Sequence, residues 1–180
     1  TGTEDAAYSY SITTSDDDSD SSDSWTISCT TCPSWLSVSH TAGASTATLS
    51  GTPLDANIGD NSVVIQVADA AGATDTESFT IAVANSNDAP TISSTAVTAV
   101  NEDASYSYSI TTSDDDSDSS DSWTITSTSV SWLTMTHTAG ASTAALAGIP
   151  DDGDVGSYSV TVTVADAAGA TGTQTFTIVV

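Results

Sequence analysis

Asp16, Asp18 and Asp20 place carboxylates at alternate positions, the spacing with which a helix-loop-helix calcium loop opens. The rest of such a loop is missing, because Ser21 stands where Gly is required and Ile27 where a bidentate Glu should close the shell. The Asp/Ser tract, with Asp20 and Asp23 and their later counterparts Asp118 and Asp121, reads instead as a solvated loop between strands. Cys29-Thr30-Thr31-Cys32 is a C-x-x-C, but a redox pair of that form works at a helix start, and zinc needs two further ligands that are not in evidence. The expectation is a local disulfide in an oxidising compartment. His40 and His137 lie on Ser/Thr-rich strands with no Gly-x-Ser-x-Gly elbow to mark a nucleophile, and read as exposed strand residues. The many carboxylates do not single out a glycosidase pair, and Trp25, Trp35, Trp123 and Trp132 sit in apolar strand contexts where core packing is the ordinary role.

Charge narrows the function classes further. The 180 residues hold 24 acidic side chains and no Lys or Arg, a formal charge of -24. Nothing can neutralise a phosphate backbone or an anionic lipid surface, so neither nucleic acid nor membrane surface is an expected partner. The carboxylates have no internal counter-charge, and clusters of them repel unless cations come from outside. No apolar run is long enough to span a bilayer. Thr1-Gly2-Thr3-Glu4 has no secretion-signal character, so any signal has been removed or lies outside these residues.

The elements that must position these residues occur twice. Glu4-Asp5-Ala6-Ala7-Tyr8-Ser9-Tyr10-Ser11-Ile12 returns as Glu102-Asp103-Ala104-Ser105-Tyr106-Ser107-Tyr108-Ser109-Ile110, an offset of 98. Past the cysteines the offset is 97, pairing Trp35 with Trp132, Gly51 with Gly148, Asp69 with Asp166 and Phe79 with Phe176. A repeat of that length is a whole domain. Apolar residues alternate within each copy, as in Tyr158, Val160, Val162 and Val164, which is the pattern of half-buried antiparallel strands. Turn signals such as Asp69-Ala70-Ala71-Gly72 separate the runs, and about seven strands in the second copy predict an immunoglobulin-like Greek-key sandwich. The boundary falls in Asn85-Ser86-Asn87-Asp88-Ala89-Pro90, giving one domain over 1–86 and a second over 87–180. The second copy opens with a first strand within Thr91–Val100 that has no counterpart in the first copy. The first copy is therefore expected either to be an excerpt from a longer array or to take that strand from another molecule.

Asn87-Asp88-Ala89-Pro90 is followed by Asn101-Glu102-Asp103, and Trp35-Leu36 and Trp132-Leu133, Leu49-Ser50-Gly51-Thr52-Pro53 and Val67-Ala68-Asp69-Ala70-Ala71-Gly72 followed by Phe79-Thr80-Ile81 mark phrases that keep their order and spacing in both copies. Together they resemble the cadherin-like, dystroglycan-type modules, immunoglobulin-like repeats of large bacterial and archaeal surface proteins. The resemblance spans essentially the whole chain and implies an all-β architecture of two tandem cadherin-like Greek-key sandwiches. It also implies calcium between domains. Carried over position by position, the junction ligands would be Glu4, Asn85, Asn87, Asp88, Asp114, Asp116 and Asp166, with Asp16, Asp18 and Asp69 facing a preceding module and Glu102 a following one. Ligand chemistry agrees, since calcium takes six to eight hard oxygens from carboxylates and amide carbonyls.

The expected function is accordingly non-catalytic: an extracellular or cell-surface structural or adhesive segment stiffened by calcium. Its expected partners are neighbouring modules of the same or identical chains and a surface protein or glycan. Two alternatives stand beside it. One is a filament subunit whose first copy is completed by a strand donated from a neighbour. The other is a carbohydrate-binding accessory region that uses the tryptophans.

Overall fold

The computed structural model describes residues 1–15, 24–116 and 122–180, which divide into two compact units, Thr1–Ser86 and Asn87–Val180. Both are β-sandwiches. Among the described residues helix is confined to two 3-10 turns, Asp55–Asn57 and Asp152–Asp154, and no helix is long and apolar enough to cross a membrane.

Unit 1 contains β1 (Gly2–Thr3), β2 (Tyr8–Thr13), β3 (Thr26–Thr31), β4 (Leu36–His40), β5 (Thr46–Gly51), β6 (Gly59–Ala68) and β7 (Thr74–Ala84). One sheet has the order β1-β7-β6-β3 and the other β2-β5-β4, so the chain changes sheets between β1 and β2, β2 and β3, β3 and β4, and β5 and β6. Every pairing is antiparallel except β1 with β7, where Gly2 faces Val83 in a parallel register. This is the immunoglobulin-like arrangement the alternating pattern predicts.

Unit 2 repeats it with β8 (Thr91–Ile92), β9 (Tyr106–Ser113), β10 (Thr124–Ser127), β11 (Leu133–His137), β12 (Thr143–Gly148), β13 (Ser157–Ala165) and β14 (Thr171–Val179). Its sheets run β10-β13-β14 and β11-β12-β9-β8. Side-chain alternation makes the core: Val160, Val162 and Val164 on β13 are 0% exposed, and they meet Tyr108, Ile110, Leu146 and Ile178 from both sheets. Ile12, Leu49, Val63, Ile65 and Ile81 form the corresponding core of unit 1.

The leading strand differs from expectation. In unit 2 it is split: Thr91–Ile92 pairs antiparallel with β9, and after a crossing segment Ala99 bridges β14 in parallel at Val179. Gly2–Thr3 is the first-copy counterpart of that second half, so unit 1 does contain a leading strand, the part that joins β7. The split lets one segment serve both sheets. Covered by it, Tyr106 is 2% exposed, and burial pushes its phenol up to about 12, with neighbouring Tyr108 adding to the effect.

Gly51 and Gly148 show why the Gly-x-Pro phrase recurs. A Cβ on Gly51 would stand 1.9 Å from the Trp35 carbonyl oxygen, and one on Gly148 2.0 Å from that of Trp132. The strand therefore lies directly under the preceding Trp-Leu bend, and only glycine leaves room. We expect Gly148→Ala to destabilise unit 2 by about 1–3 kcal/mol through this backbone collision. Gly156→Ala, where a Cβ meets nothing within 4 Å, should stay within about 0.5 kcal/mol of the parent. Urea unfolding followed by tryptophan fluorescence measures both.

Candidate functional site

The carboxylates gather at the ends of the sandwiches, where strands finish and backbone N–H groups lose their ladder partners. In unit 1, Glu4 follows β1 and is 2% exposed. Its backbone N–H donates to Ala84 O at 3.0 Å, and its Oε1 accepts the N–H of Ser86 at 2.6 Å. The next residue, Asp5, takes a left-handed φ of 56° and donates its N–H to Pro53 O, which turns the chain sharply away. Asp103 repeats that turn with the same φ and donates to Pro150 O.

In unit 2, Asp166 follows β13 and is 8% exposed. Its Oδ1 accepts the N–H groups of Gly169 at 2.6 Å and Ala170 at 2.9 Å, closing the turn into β14, and its Oδ2 accepts the Asn87 side-chain amide at 2.9 Å. Asp116, also 8% exposed, accepts the N–H of Asp88 at 2.7 Å through Oδ2, and its own N–H reaches Asp114 Oδ1 at 3.4 Å. The structure thus brings Asn87, Asp88, Asp114, Asp116 and Asp166 to one end of unit 2, and sets Glu4 against Ser86 at the end of unit 1 from which the chain leaves.

Asn85 is exposed. Asp69 lies at the other end of the β6–β7 hairpin from Glu4, accepting the N–H of Ala73 at 2.8 Å. Glu102 is exposed at the far end of unit 2. Asp16 and Asp18 lie outside the described residues, as do Asp20, Asp23, Asp118 and Asp121.

Two buried carboxylate oxygens, Glu4 Oε2 and Asp116 Oδ1, have no hydrogen-bond partner among the described residues. An anionic oxygen removed from water without a partner costs free energy unless a cation meets it. No side chain of this sequence can be that cation save the two histidines. Both are engaged elsewhere, the Nε2–H of His40 donating to Ala44 O at 2.9 Å and that of His137 to Ala141 O at 3.0 Å. They are half-buried clasps of the next turn rather than exposed strand residues. All the donors at these ends are oxygens, the set that suits calcium better than zinc or copper.

What the sequence did not disclose is that backbone N–H groups, of Ser86, Asp88, Gly169 and Ala170, hold these carboxylates in place. The only signal would have been the Asx-turn tendency of Asp166-Ala167-Ala168-Gly169.

The remaining candidates have structural roles here. Cys29 and Cys32 are joined in a disulfide. Trp35 donates Nε1–H to Asn61 Oδ1 at 3.0 Å and meets Tyr8 edge to face. Trp132 packs in the same manner between Tyr106 and Tyr158.

A family profile described as "Putative Ig domain" matches residues 1–84 and again 89–180. The chain belongs to this family. No curated protein matches these immunoglobulin-like domains. Among solved structures, the extracellular domain of protocadherin gamma B4 is similar with a TM-score of 0.55 and 15% identity, over 86% of this chain and 26% of that one. Cadherin domains 3–6 of protocadherin gamma B2 give 0.54 and 13%, over 87% and 39%. An endo-fucoidan hydrolase of glycoside hydrolase family 107 is 26% identical over 99% of this chain and 26% of that chain, with a TM-score of 0.43. The chain spans only about a quarter to two fifths of the length of these proteins. The protocadherin likeness shows the fold: two tandem immunoglobulin-like, cadherin-like sandwiches.

Donation from Asn87 holds the Asp166 carboxyl below the ordinary carboxylate range, against the opposing effect of its burial, and the N–H groups of Ala170, Gly169 and Ala168 act in the same direction as Asn87. A carboxyl lowered on folding contributes stability that is present above its unfolded value and is lost as pH falls through the folded one. In metal-free buffer, Asn87→Ala should raise the Asp166 titration midpoint, followed by carboxyl NMR, and move acid unfolding of unit 2 to higher pH. A midpoint unchanged by the substitution would show that the backbone N–H groups alone set it.

Proposed function

We propose that these two immunoglobulin-like domains form a non-catalytic structural or adhesive segment of an extracellular or cell-surface protein, in which calcium is bound where one domain follows the other. The observation that carries the proposal is that two buried carboxylate oxygens, Glu4 Oε2 and Asp116 Oδ1, have no hydrogen-bond partner among the described residues. Their companion oxygens are tied to the N–H groups of Ser86 and Asp88, two residues apart in the chain. Asn85, Asn87, Asp88, Asp114 and Asp166 would complete the oxygen set from the same stretch and from unit 2. Calcium would supply the positive charge that the side chains lack, converting repulsion between carboxylates into shared coordination. Asp69 and, at the far end of unit 2, Glu102 would serve neighbouring modules in the same way.

The extracellular assignment is supported by the family, by the disulfide between Cys29 and Cys32, which persists in oxidising compartments, and by a surface charge suited to solubility. Neighbouring modules of the same or identical chains, and a surface protein or glycan, are the partners that fit. A mechanical role needs no reacting centre, and Asp69 and Asp166 each hold a turn through backbone N–H groups.

Calorimetric titration of the 180-residue protein with calcium tests this reading. Binding that is lost in Glu4→Gln and Asp116→Asn is expected, together with a rise in melting temperature. At free calcium of about 100 times Kd the linkage amounts to about 2.7 kcal/mol. Small-angle scattering should show a narrower spread of dimensions with calcium than with a chelator. Calcium that changes neither melting nor scattering would refute the proposal.

A further inference from the structure

One residue more lies between Trp25 and Trp35 than between Trp123 and Trp132, and the pairing of the strands shows where it goes. In unit 2 the strand takes a plain course. Thr124–Ser127 of β10 faces Ala165, Val164, Thr163 and Val162 in turn, and Thr128 continues the ladder by donating its N–H to Thr161 O at 2.9 Å. In unit 1 Cys29 faces Ile65 and Thr31 faces Val64, so Thr30 is the surplus residue, set out of the β3–β6 ladder as a bulge. Only its hydroxyl is directed back, donating to Val64 O at 3.3 Å.

The two cysteines bracket this bulge. Cys29 is half-buried against the core of unit 1, Cys32 is exposed, and their Cα atoms lie 5.7 Å apart. Three steps of extended strand would separate those atoms by about 10 Å, and beyond about 7 Å a bridge cannot close without backbone movement. The disulfide and a straight strand through Thr30 and Thr31 therefore exclude each other.

The straight course is nevertheless open to this sequence. Thr30 would stand opposite Val64 as Thr128, the same residue type, stands opposite Thr161, and the surplus residue would pass into the bend before Trp35. Where unit 2 takes that course, Ser127 and Ser129 occupy the cysteine positions. The sandwich of unit 2 closes without a bridge, so the fold does not depend on one here. A ring over so few residues also constrains the unfolded chain less than a long loop does.

We propose that the Cys29–Cys32 disulfide is a redox-operated register lock on β3. Oxidised, it holds Thr30 out of the ladder; reduced by a dithiol, it lets β3 straighten so that the pairing with β6 moves by one residue. The dithiol's thiolate attacks the exposed Cys32 sulfur and Cys29 leaves as thiolate. The second thiol of the reductant then closes its own disulfide, and two electrons and two protons have passed to Cys29 and Cys32. Two features favour a switch over general loosening. Side chains alternate between faces, so a strand settles in one register or the next and not between them. Only β6 must exchange partners, because β3 ends its sheet, and Ile27, 4% exposed, anchors the strand ahead of the cysteines in either state.

Nuclear Overhauser contacts between β3 and β6 in the 180-residue protein, recorded with and without dithiothreitol, test the proposal. The oxidised protein should show Thr31 opposite Val64. On reduction the contact is expected to shift by one residue, to Thr30 opposite Val64, while Ile27 stays opposite Val67 and the core resonances of Ile12 and Leu49 persist. The double variant Cys29→Ser with Cys32→Ser, which gives unit 1 the residues of unit 2, should hold the shifted register without reductant and ignore its addition. Thr31 still opposite Val64 in the reduced protein and in the variant would overturn the proposal by showing that the fold alone sets the bulge. A β3 that pairs with nothing beyond Cys29 once reduced would overturn it as well. So would loss of the unit 1 core resonances on reduction, since the bridge would then be a clamp required for folding.

Discussion

A carboxylate that leaves water must be met by N–H groups or by a cation, and the side chains of this protein supply almost no cations. The backbone meets most of the demand. Asp69 takes the N–H of Ala73, Asp166 those of Gly169 and Ala170, Asp116 that of Asp88, Glu4 that of Ser86, and Asp151 that of Gly153 at a 3-10 turn. Each donor lies at a strand end or turn, so the acidic residues close the sandwich ends that the sheet ladders leave open. The geometry of the ends and the chemistry of the ends have one cause. Where the backbone runs out of donors among the described residues, at Glu4 Oε2 and Asp116 Oδ1, the calcium proposed above would take up the demand.

Strand alternation, the repeat and the glycines under the Trp-Leu bends made the two-sandwich fold readable, because burial on one face imposes period two on any half-buried strand. Val160, Val162 and Val164 are the clearest instance. The split leading strand was not readable. Pairings as short as Thr91–Ile92 and Ala99 with Val179 are set by the neighbours already in place, not by any pattern in the segment itself. The histidines misled for a related reason: a polar residue in an alternating strand looks solvated until the turn four residues on places a carbonyl against it.

The acidic candidates were legible as residue types but not as contacts. Composition counts carboxylates, whereas their partners are main-chain groups common to every residue, so no count reveals them. The differences at Asp75 and Glu77 were present in the alignment of the two copies all along. They acquire meaning only with the position of the Pro90 carbonyl, which turns an ordinary Gly-to-Asp difference into a difference in how closely another backbone can approach the strand.

An unpaired strand edge ordinarily invites pairing with an identical edge, and natural sandwiches guard such edges with charge. In unit 1 the guard is placed beside β2 on the neighbouring sheet, at Asp75 and Glu77, both exposed. Two copies approaching edge to edge would bring these carboxylates together with nothing to neutralise them, on molecules that already repel at a formal charge of -24. In unit 2 the same edge is closed by its own segment, and there the positions are Gly172 and Gln174, uncharged and half-buried. Charge appears where the edge is open and disappears where it is covered. The pattern ties the electrostatics of the surface to how each sheet edge is covered among the described residues.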